Sequence, residues 1–180
     1  MESVKFKIVF FLFCLPSILF VPSVEGKETI RKNTLTVLSP VFENNSTIPS
    51  KYTCDGVNVT PPLFIEHVPA GAKSLALIVD DPDAPAGIWV HWVLWNIHPE
   101  TKEITENSVP KGAQQGMNDF RKQPYSGPCP PSGTHRYVFK IYALDTILTL
   151  SPHATKTDLE KSMKGHIIEQ AHITGLYKRR

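Results

Sequence analysis

Short apolar runs separated by proline and glycine restrict what this chain can fold into. Sixteen prolines and ten glycines are distributed through its 180 residues. They interrupt the apolar runs at lengths typical of strands, before most of them could continue as helices. The sequence therefore predicts a mainly β fold with many loops, and not a repeating strand–helix–strand pattern.

Five segments are predicted to be strands. Residues 74–79 form an almost continuous apolar run, which is typical of a strand buried on both faces. The other four segments are 34–39, 63–66, 89–97 and 134–144. The long stretch 99–133 is rich in Pro, Gly, Asn and Lys, so it is predicted to be mostly loop, and loops of this length often carry function.

One helix is predicted near the C-terminus. Thr155 and Asp158 have the spacing of a capping box. Apolar and neutral positions then recur every three or four residues, at Leu159, Met163, His166, Ile167 and Ala171. This pattern predicts a helix that ends near His172 or Thr174, with Gly175 as its stop signal.

The N-terminal 26 residues are predicted to be a signal peptide. Lys5 and Lys7 precede a short apolar run over residues 8–20, and small or polar residues follow it up to Gly26. The expected product is a single domain over residues 27–180 that is secreted or periplasmic. An uncleaved membrane anchor is the alternative.

The cysteine content bears on whether the exported domain contains a disulfide. Cys54 and Cys129 would remain after cleavage, and an oxidising compartment favours a disulfide between them, with two free thiols as the alternative.

The net charge is only +2. A chain with so balanced a charge offers no broad basic surface, so nucleic acid is not an expected partner.

Alternation along strands predicts which side chains lie together. His135 and Tyr137 share one face of the last long strand, and Arg136 lies on the other. In the earlier strand, one face is predicted to hold His91, Val93, Trp95 and Ile97. If the two strand ends adjoin, the histidines form a polar mouth over an apolar floor, as in many small-ligand sites.

Two loops add polar groups to this mouth. Asp80, Asp81 and Asp83 follow the buried strand, and such close carboxylates repel unless compensated. One is expected to face an imidazole, one a guanidinium and one water, with Arg136 as the candidate partner of Asp83. In the segment Ser126-Gly-Pro-Cys-Pro-Pro131, Gly127 would let the backbone approach a ligand closely.

Several ordered motifs resemble one family. They are Tyr52-Thr-Cys-Asp-Gly56, Thr60-Pro-Pro62, Asp81-Pro-Asp-Ala-Pro85, Trp89-Val-His-Trp-Val-Leu-Trp-Asn96, Gly127-Pro-Cys-Pro-Pro131 and His135-Arg-Tyr137. Together they closely resemble the phosphatidylethanolamine-binding (Raf kinase inhibitor-like) proteins, in the compact prokaryotic-type branch. The resemblance implies a two-sheet antiparallel β-sandwich with peripheral helices and a C-terminal helix.

The same resemblance implies a ligand site for phosphate-like anions or phospholipid headgroups. Its residues would be Asp81, His91, Gly127, His135 and Tyr137, with Trp89 at the rim and Asp83 and Arg136 as a supporting ion pair. Animal members carry a further C-terminal helix over the pocket. This chain stops at Arg180, so the resemblance implies a more open pocket or one closed by a partner chain.

The expected function is non-enzymatic binding without a cofactor or metal. Asp81 would accept a hydrogen bond from one histidine, and an imidazole would bind the anion more tightly as pH falls. Some family members inhibit kinases or peptidases, so a protein target is a further possibility, as is a homodimer.

Two enzyme classes are weighed against this expectation. Two histidines and a carboxylate can also form a non-haem metal site, although no H-E-x-x-H or paired-cysteine spacing supports it. A serine hydrolase would need a Gly-x-Ser-x-Gly elbow, which the sequence lacks.

Overall fold

The structure is a computed structural model that describes residues 34–179. The predicted signal peptide, residues 1–26, lies outside this range. Nine strands lie within it: β1 (Thr36–Leu38), β2 (Ser46–Thr47), β3 (Leu63–Glu66), β4 (Ser74–Asp81), β5 (Trp89–Ile97), β6 (Glu103–Ile104), β7 (Gln114–Gln115), β8 (His135–Leu144) and β9 (Ile167–Tyr177). One α-helix, α1 (Lys156–Met163), and a 3-10 turn at Ser50–Tyr52 complete the elements of this range.

The strands form two sheets. The larger sheet has the order β2-β9-β8-β4-β5-β7, and the smaller has the order β1-β3-β6. Neighbouring strands are antiparallel except for β2 and β9, which pair in parallel. The mainly β, two-sheet sandwich expected from the sequence is therefore confirmed.

Strand β4 lies between two apolar cores, and all eight of its residues are buried. Leu77 and Val79 belong to the core between the sheets, whereas Ala76 and Ile78 belong to the core that also contains Leu159 of α1. Burial on both faces explains the continuous apolar run from Leu75 to Val79 within this strand. The segments 63–66 and 89–97 match β3 and β5, and the other three predicted strands overlap β1, β4 and β8.

The predicted length of the helix is wrong. The capping box at Thr155 and Asp158 is present, but α1 ends at Met163, and Gly165 follows with a positive φ of 84°. Residues Ile167–Tyr177 form β9, which pairs with β8 over nearly its whole length. The apolar residues of this segment, such as Ile167 and Ala171, fit a helical spacing, but its isoleucines and threonine also favour a strand, and pairing with β8 stabilises the strand.

Gly175 is accordingly not a helix stop. It lies within β9, and a Cβ atom there would come 2.4 Å from Cγ1 of Ile48. The glycine is needed because the segment that follows β2 packs directly on this strand.

The prediction that His91, Val93, Trp95 and Ile97 share a face is also wrong. The pairing of β4 with β5 shifts twice, once around His91 and once before Ile97. Each shift is a bulge that reverses the alternation of side chains. Val93 and Trp95 consequently pack in the core that includes α1, while Ile97 packs between the sheets.

No helix within residues 34–179 has the length and apolar character needed to cross a membrane.

Candidate functional site

A cavity of about 380 Å³ opens at one end of the larger sheet. Here β4 ends and both β5 and β8 begin, and Asp81 pairs directly with Trp89. The strand ends therefore adjoin, as the polar-mouth hypothesis required. The lining residues are Asp81, Ala84, Pro85, Ala86, Trp89, His91, Phe120, Cys129, Pro131 and Tyr137. Most of this wall is apolar, and its polar groups come from the three strands.

Asp81 is buried, and both of its carboxylate oxygens already have protein partners. Oδ2 accepts a hydrogen bond of 2.7 Å from Nδ1 of His135, and Oδ1 accepts one of 2.8 Å from the backbone N–H of Asp83. An ionised carboxylate only accepts hydrogen bonds, so Nδ1 of His135 must carry the proton. This geometry suits a role for Asp81 in orienting the imidazole.

His135 lies behind this carboxylate and is only 7% exposed. It is not among the described residues that line the cavity. Because its Nδ1 is bound to Asp81, its Nε2 carries a proton only when the ring is charged.

His91 lines the cavity directly and is 2% exposed. Its Nδ1 donates to the backbone carbonyl of Ser126, which fixes the neutral tautomer with Nε2 as an acceptor. Burial lowers the pKa of His91, while the carbonyls of Ser126 and Gly127 and the charges of Asp81 and Asp119 oppose that effect. At neutral pH the ring is therefore poised as an uncharged acceptor.

Tyr137 places a buried hydroxyl beside this imidazole, with the two ring centroids 5.2 Å apart. Within residues 34–179 no group accepts a hydrogen bond from this hydroxyl with normal geometry. Burial raises the pKa of Tyr137, and the negative charge of Asp81 raises it further. The Asp81 carboxylate and the backbone of Cys129 also lie close enough to influence this pKa, but neither forms a hydrogen bond of normal geometry with the hydroxyl. The hydroxyl is therefore a neutral and poorly satisfied donor, which is costly in a buried position.

Asp83 and Arg136 form the expected ion pair outside the cavity. The guanidinium donates to both carboxylate oxygens, at 2.9 Å from Nε and 2.6 Å from Nη2, and the backbone N–H of Arg136 donates as well. These hydrogen bonds lower the pKa of Asp83 to about 2.

One of the three carboxylates was expected to face water, but Asp80 does not. It is fully buried on the opposite face of β4, and its Oδ2 accepts from Lys140 at 2.8 Å and from Lys156 at 2.6 Å. This pairing links the sheet to the start of α1 and leaves Asp80 outside the cavity.

Gly127 lies next to the cavity and does not line it. Its N–H donates to Oδ1 of Asn58, and a Cβ atom at this position would lie 2.3 Å from the carbonyl oxygen of Tyr52. The glycine is thus required for close packing of two loops, and the expectation of close ligand approach at this residue is not supported by its position.

The Cys54–Cys129 disulfide is present and joins the same two loops. Cys129 contributes to the cavity wall. The backbone N–H of Cys54 also donates to the carbonyl of Pro128. The loop that carries Ser126 and Pro131 is therefore held covalently and by hydrogen bonds.

Sequence reasoning missed Phe120 and Asn118. The ring of Phe120 packs edge-on against His91 and Trp89, with centroids 5.2 and 5.6 Å apart. Asn118 is 4% exposed and hydrogen-bonded to the strand and loop around it. The sequence feature that could have identified them is their position, as an aromatic and a polar turn residue, within the long loop 99–133 that was expected to carry function.

The metal-enzyme alternative is not supported. Within the described part of the chain, no group of three or more His, Cys, Asp or Glu side chains is arranged to hold a metal ion. Asp81, the carboxylate such a site would use, is committed to His135 and to a backbone N–H.

Comparison with known proteins gives a consistent family. The family described as "Phosphatidylethanolamine-binding protein" matches residues 38–178. A UPF0098 protein of Methanothermobacter thermautotrophicus is 52% identical over 143 residues, covering 77% of this chain and 95% of the relative. A second UPF0098 protein, from Pyrococcus abyssi, is 51% identical over 153 residues, covering 79% of this chain and 85% of the relative.

Solved structures agree with this result. The crystal structure of a putative phosphatidylethanolamine-binding protein homologue from Chlamydia trachomatis is similar, with a TM-score of 0.80, 40% identity, and coverage of 83% of this chain and 100% of that one. Escherichia coli YbcL, described as a new member of the mammalian family, has a TM-score of 0.77 at 30% identity, covering 81% and 99%. The chain belongs to the phosphatidylethanolamine-binding protein family.

Proposed function

We propose that this chain is a non-enzymatic binding protein whose cavity takes a small anionic group attached to an apolar one. The observation that carries the proposal is the buried Tyr137 hydroxyl, which has no acceptor within residues 34–179. A ligand oxygen beside His91 would accept from it and remove the cost of leaving it unpaired. The apolar wall formed by Trp89 and Phe120 suits the rest of such a ligand.

The charge for binding an anion must come from a histidine. Of the described lining residues, only His91 can become positively charged, and Arg136 is already paired with Asp83. Nδ1 of His91 donates to Ser126, so Nε2 can donate to an anion only after the ring is protonated. The charged and titratable groups around it are Asp81 on β4, Asp119 in the loop between β7 and β8, and Tyr137 on β8.

The pH dependence of binding tests this proposal, with sulfate and inorganic phosphate as probes. Sulfate carries no proton between pH 8 and pH 5, so its affinity should rise by up to about tenfold per pH unit as pH falls, until His91 is charged. Phosphate keeps a hydroxyl that can donate to neutral Nε2, so its affinity should change less. Isothermal titration calorimetry on the full mature chain measures both.

Two variants make the assignment specific. His91→Gln should abolish the pH dependence for sulfate, and His98→Gln, at an exposed histidine outside the cavity, should leave it unchanged. Sulfate affinity that is flat from pH 8 to pH 5 in the unaltered protein would contradict the proposal. Glycerophosphoethanolamine compared with glycerol phosphate then shows whether a lipid headgroup is preferred to phosphate alone.

Export is part of the same proposal. The apolar run over residues 8–20 and the Cys54–Cys129 disulfide support it, because disulfides persist in oxidising compartments. N-terminal sequencing of the protein from its own cells should find a mature chain that starts near residue 27. A mature protein that retains residues 1–26 and remains in the reducing cytoplasm would overturn this part.

A further inference from the structure

We propose that Asn118 is a positioning residue that holds His91 in its ligand-binding tautomer and fixes Phe120 over the cavity. This inference rests on the proposed anion site and adds a residue that does not touch the ligand. Asn118 lies in the loop between β7 and β8, is 4% exposed, and is not among the described lining residues.

The amide nitrogen of Asn118 ties the loop to β5. Nδ2 donates to the backbone carbonyl of His91 at 3.2 Å, to the carbonyl of Pro124 at 2.9 Å and to Oγ of Ser126 at 3.3 Å. Three acceptors share two N–H bonds, so the nitrogen is fully used. All three acceptors belong to the segments that surround His91.

The bulge in β5 explains why this amide is needed. His91 is the extra residue where the β4 register shifts, so it lies outside the regular ladder. Its carbonyl accepts instead from the backbone N–H of Ser126 at 3.1 Å and from Asn118. The carbonyl of the same Ser126 accepts from the ring of His91. Asn118 thus braces the peptide that selects the imidazole tautomer.

The amide oxygen of Asn118 shapes the turn that carries the aromatic wall. Oδ1 accepts from the backbone N–H of Phe120 and of Lys122, each at 3.0 Å. Arg121, between them, has a positive φ of 58°, and its N–H donates to the carbonyl of Asn118. Phe120 is 37% exposed and depends on this turn to keep its ring against His91 and Trp89.

The two halves of the amide can be separated experimentally. Asn118→Asp keeps an oxygen that can accept from Phe120 and Lys122, and it loses the donors to His91, Pro124 and Ser126. A loop residue that serves as the matched control is Gln123, whose side chain donates to Pro152 away from the cavity. Gln123→Ala should behave as the unaltered protein in every measurement.

Nitrogen NMR of the imidazole rings, without added anion, gives the direct readout. The unaltered protein should show His91 as the Nδ1–H tautomer, and Asn118→Asp should show a mixture of the two neutral tautomers. In the same variant, sulfate affinity at pH 5.5 should fall at least fivefold, because three donor contacts are lost and the loss of even one hydrogen bond would give a change of that size. Circular dichroism establishes that the variant is folded.

Each outcome bears on a different claim. An unchanged His91 tautomer and unchanged sulfate affinity in folded Asn118→Asp would overturn the positioning role. A changed tautomer together with no sulfate binding in the unaltered protein would support the positioning role and overturn the proposed function. If Asn118→Asp fails to fold, Asn118→Ser, which is neutral and too short to reach all three acceptors, replaces it with the same expected and contrary results.

Discussion

At the scale of single residues, neighbouring side chains of one type have different surroundings and therefore different chemistry. Asp81 and Asp83 are separated by one proline, yet one accepts from an imidazole and a backbone N–H while the other pairs with a guanidinium. Tyr125 and Tyr137 are both buried, but the hydroxyl of Tyr125 donates to the carbonyl of Tyr52 at 3.0 Å and that of Tyr137 has no acceptor within residues 34–179. The hydroxyl of Tyr137 is therefore available to donate to a ligand, whereas that of Tyr125 is already used within the protein.

The two tyrosines provide a paired prediction. Tyr137→Phe removes an unpaired buried hydroxyl, so the free energy of unfolding should stay within about 0.5 kcal/mol or rise, while sulfate affinity falls. Tyr125→Phe leaves the carbonyl of Tyr52 without this donor and should cost about 1–2 kcal/mol. Urea denaturation and calorimetry measure the two effects. Equal destabilisation by both substitutions would show that the Tyr137 hydroxyl has a structural partner.

At the scale of elements, β4, β5 and β8 build the site because their ends coincide. Strand β8 alternates regularly from His135 to Ile141, so the placement of His135 and Tyr137 on one face and Arg136 on the other could be predicted from sequence. Strand β5 has two bulges, and a bulge leaves no simple trace in the hydrophobic pattern. Counting alternate positions along the sequence therefore could not predict on which face of the sheet each β5 side chain lies.

Helix α1 is attached to the sheet through a buried charge, and this attachment can be tested. Asp80→Asn removes the carboxylate shared by Lys140 and Lys156, leaving partly buried ammonium groups without their partner. Removing one side of a buried ion pair should cost about 3 kcal/mol or more in unfolding free energy. Asp145→Asn, at an exposed carboxylate bonded to His166, should change it by less than about 0.5 kcal/mol. A small effect for Asp80→Asn in urea denaturation would contradict this account.

At the scale of the whole molecule, two loops distant in sequence are joined at the cavity. Cys54 and Cys129 are 75 positions apart, and their Cα atoms are 5.4 Å apart. The bond closes a long chain loop that includes β3 to β7, and it also holds the segment from Ser126 to Pro131 against the cavity. Its loss should affect both global stability and the site.

The disulfide prediction is quantitative for stability. Replacing both cysteines, as Cys54→Ser with Cys129→Ser, should lower the free energy of unfolding by about 2–4 kcal/mol, mainly because the unfolded chain gains freedom. The unaltered protein in dithiothreitol should match the double variant in urea denaturation. A midpoint that dithiothreitol does not change would mean that the bond is absent or contributes nothing.

Local sequence was sufficient for features that depend on neighbours along the chain. The buried run of β4, the alternation in β8, and the capping box at Thr155 are properties of short segments, and the structure confirms them. The ion pair of Asp83 with Arg136 followed from strand parity once the two strands were taken to adjoin.

Tertiary structure determined the features for which the local sequence favoured two conformations equally or favoured none. The sequence of residues Ile167–Tyr177 is compatible with helix or strand periodicity. The strand forms because it provides hydrogen-bond partners for the backbone groups at the edge of β8. Phe120 lines the cavity and Asn118 contacts the backbone of His91 only because the loop between β7 and β8 folds back onto β5. Their distance from His91 along the chain is unrelated to their distance in space, so the hydrogen bonds of that loop could be identified only in the folded molecule.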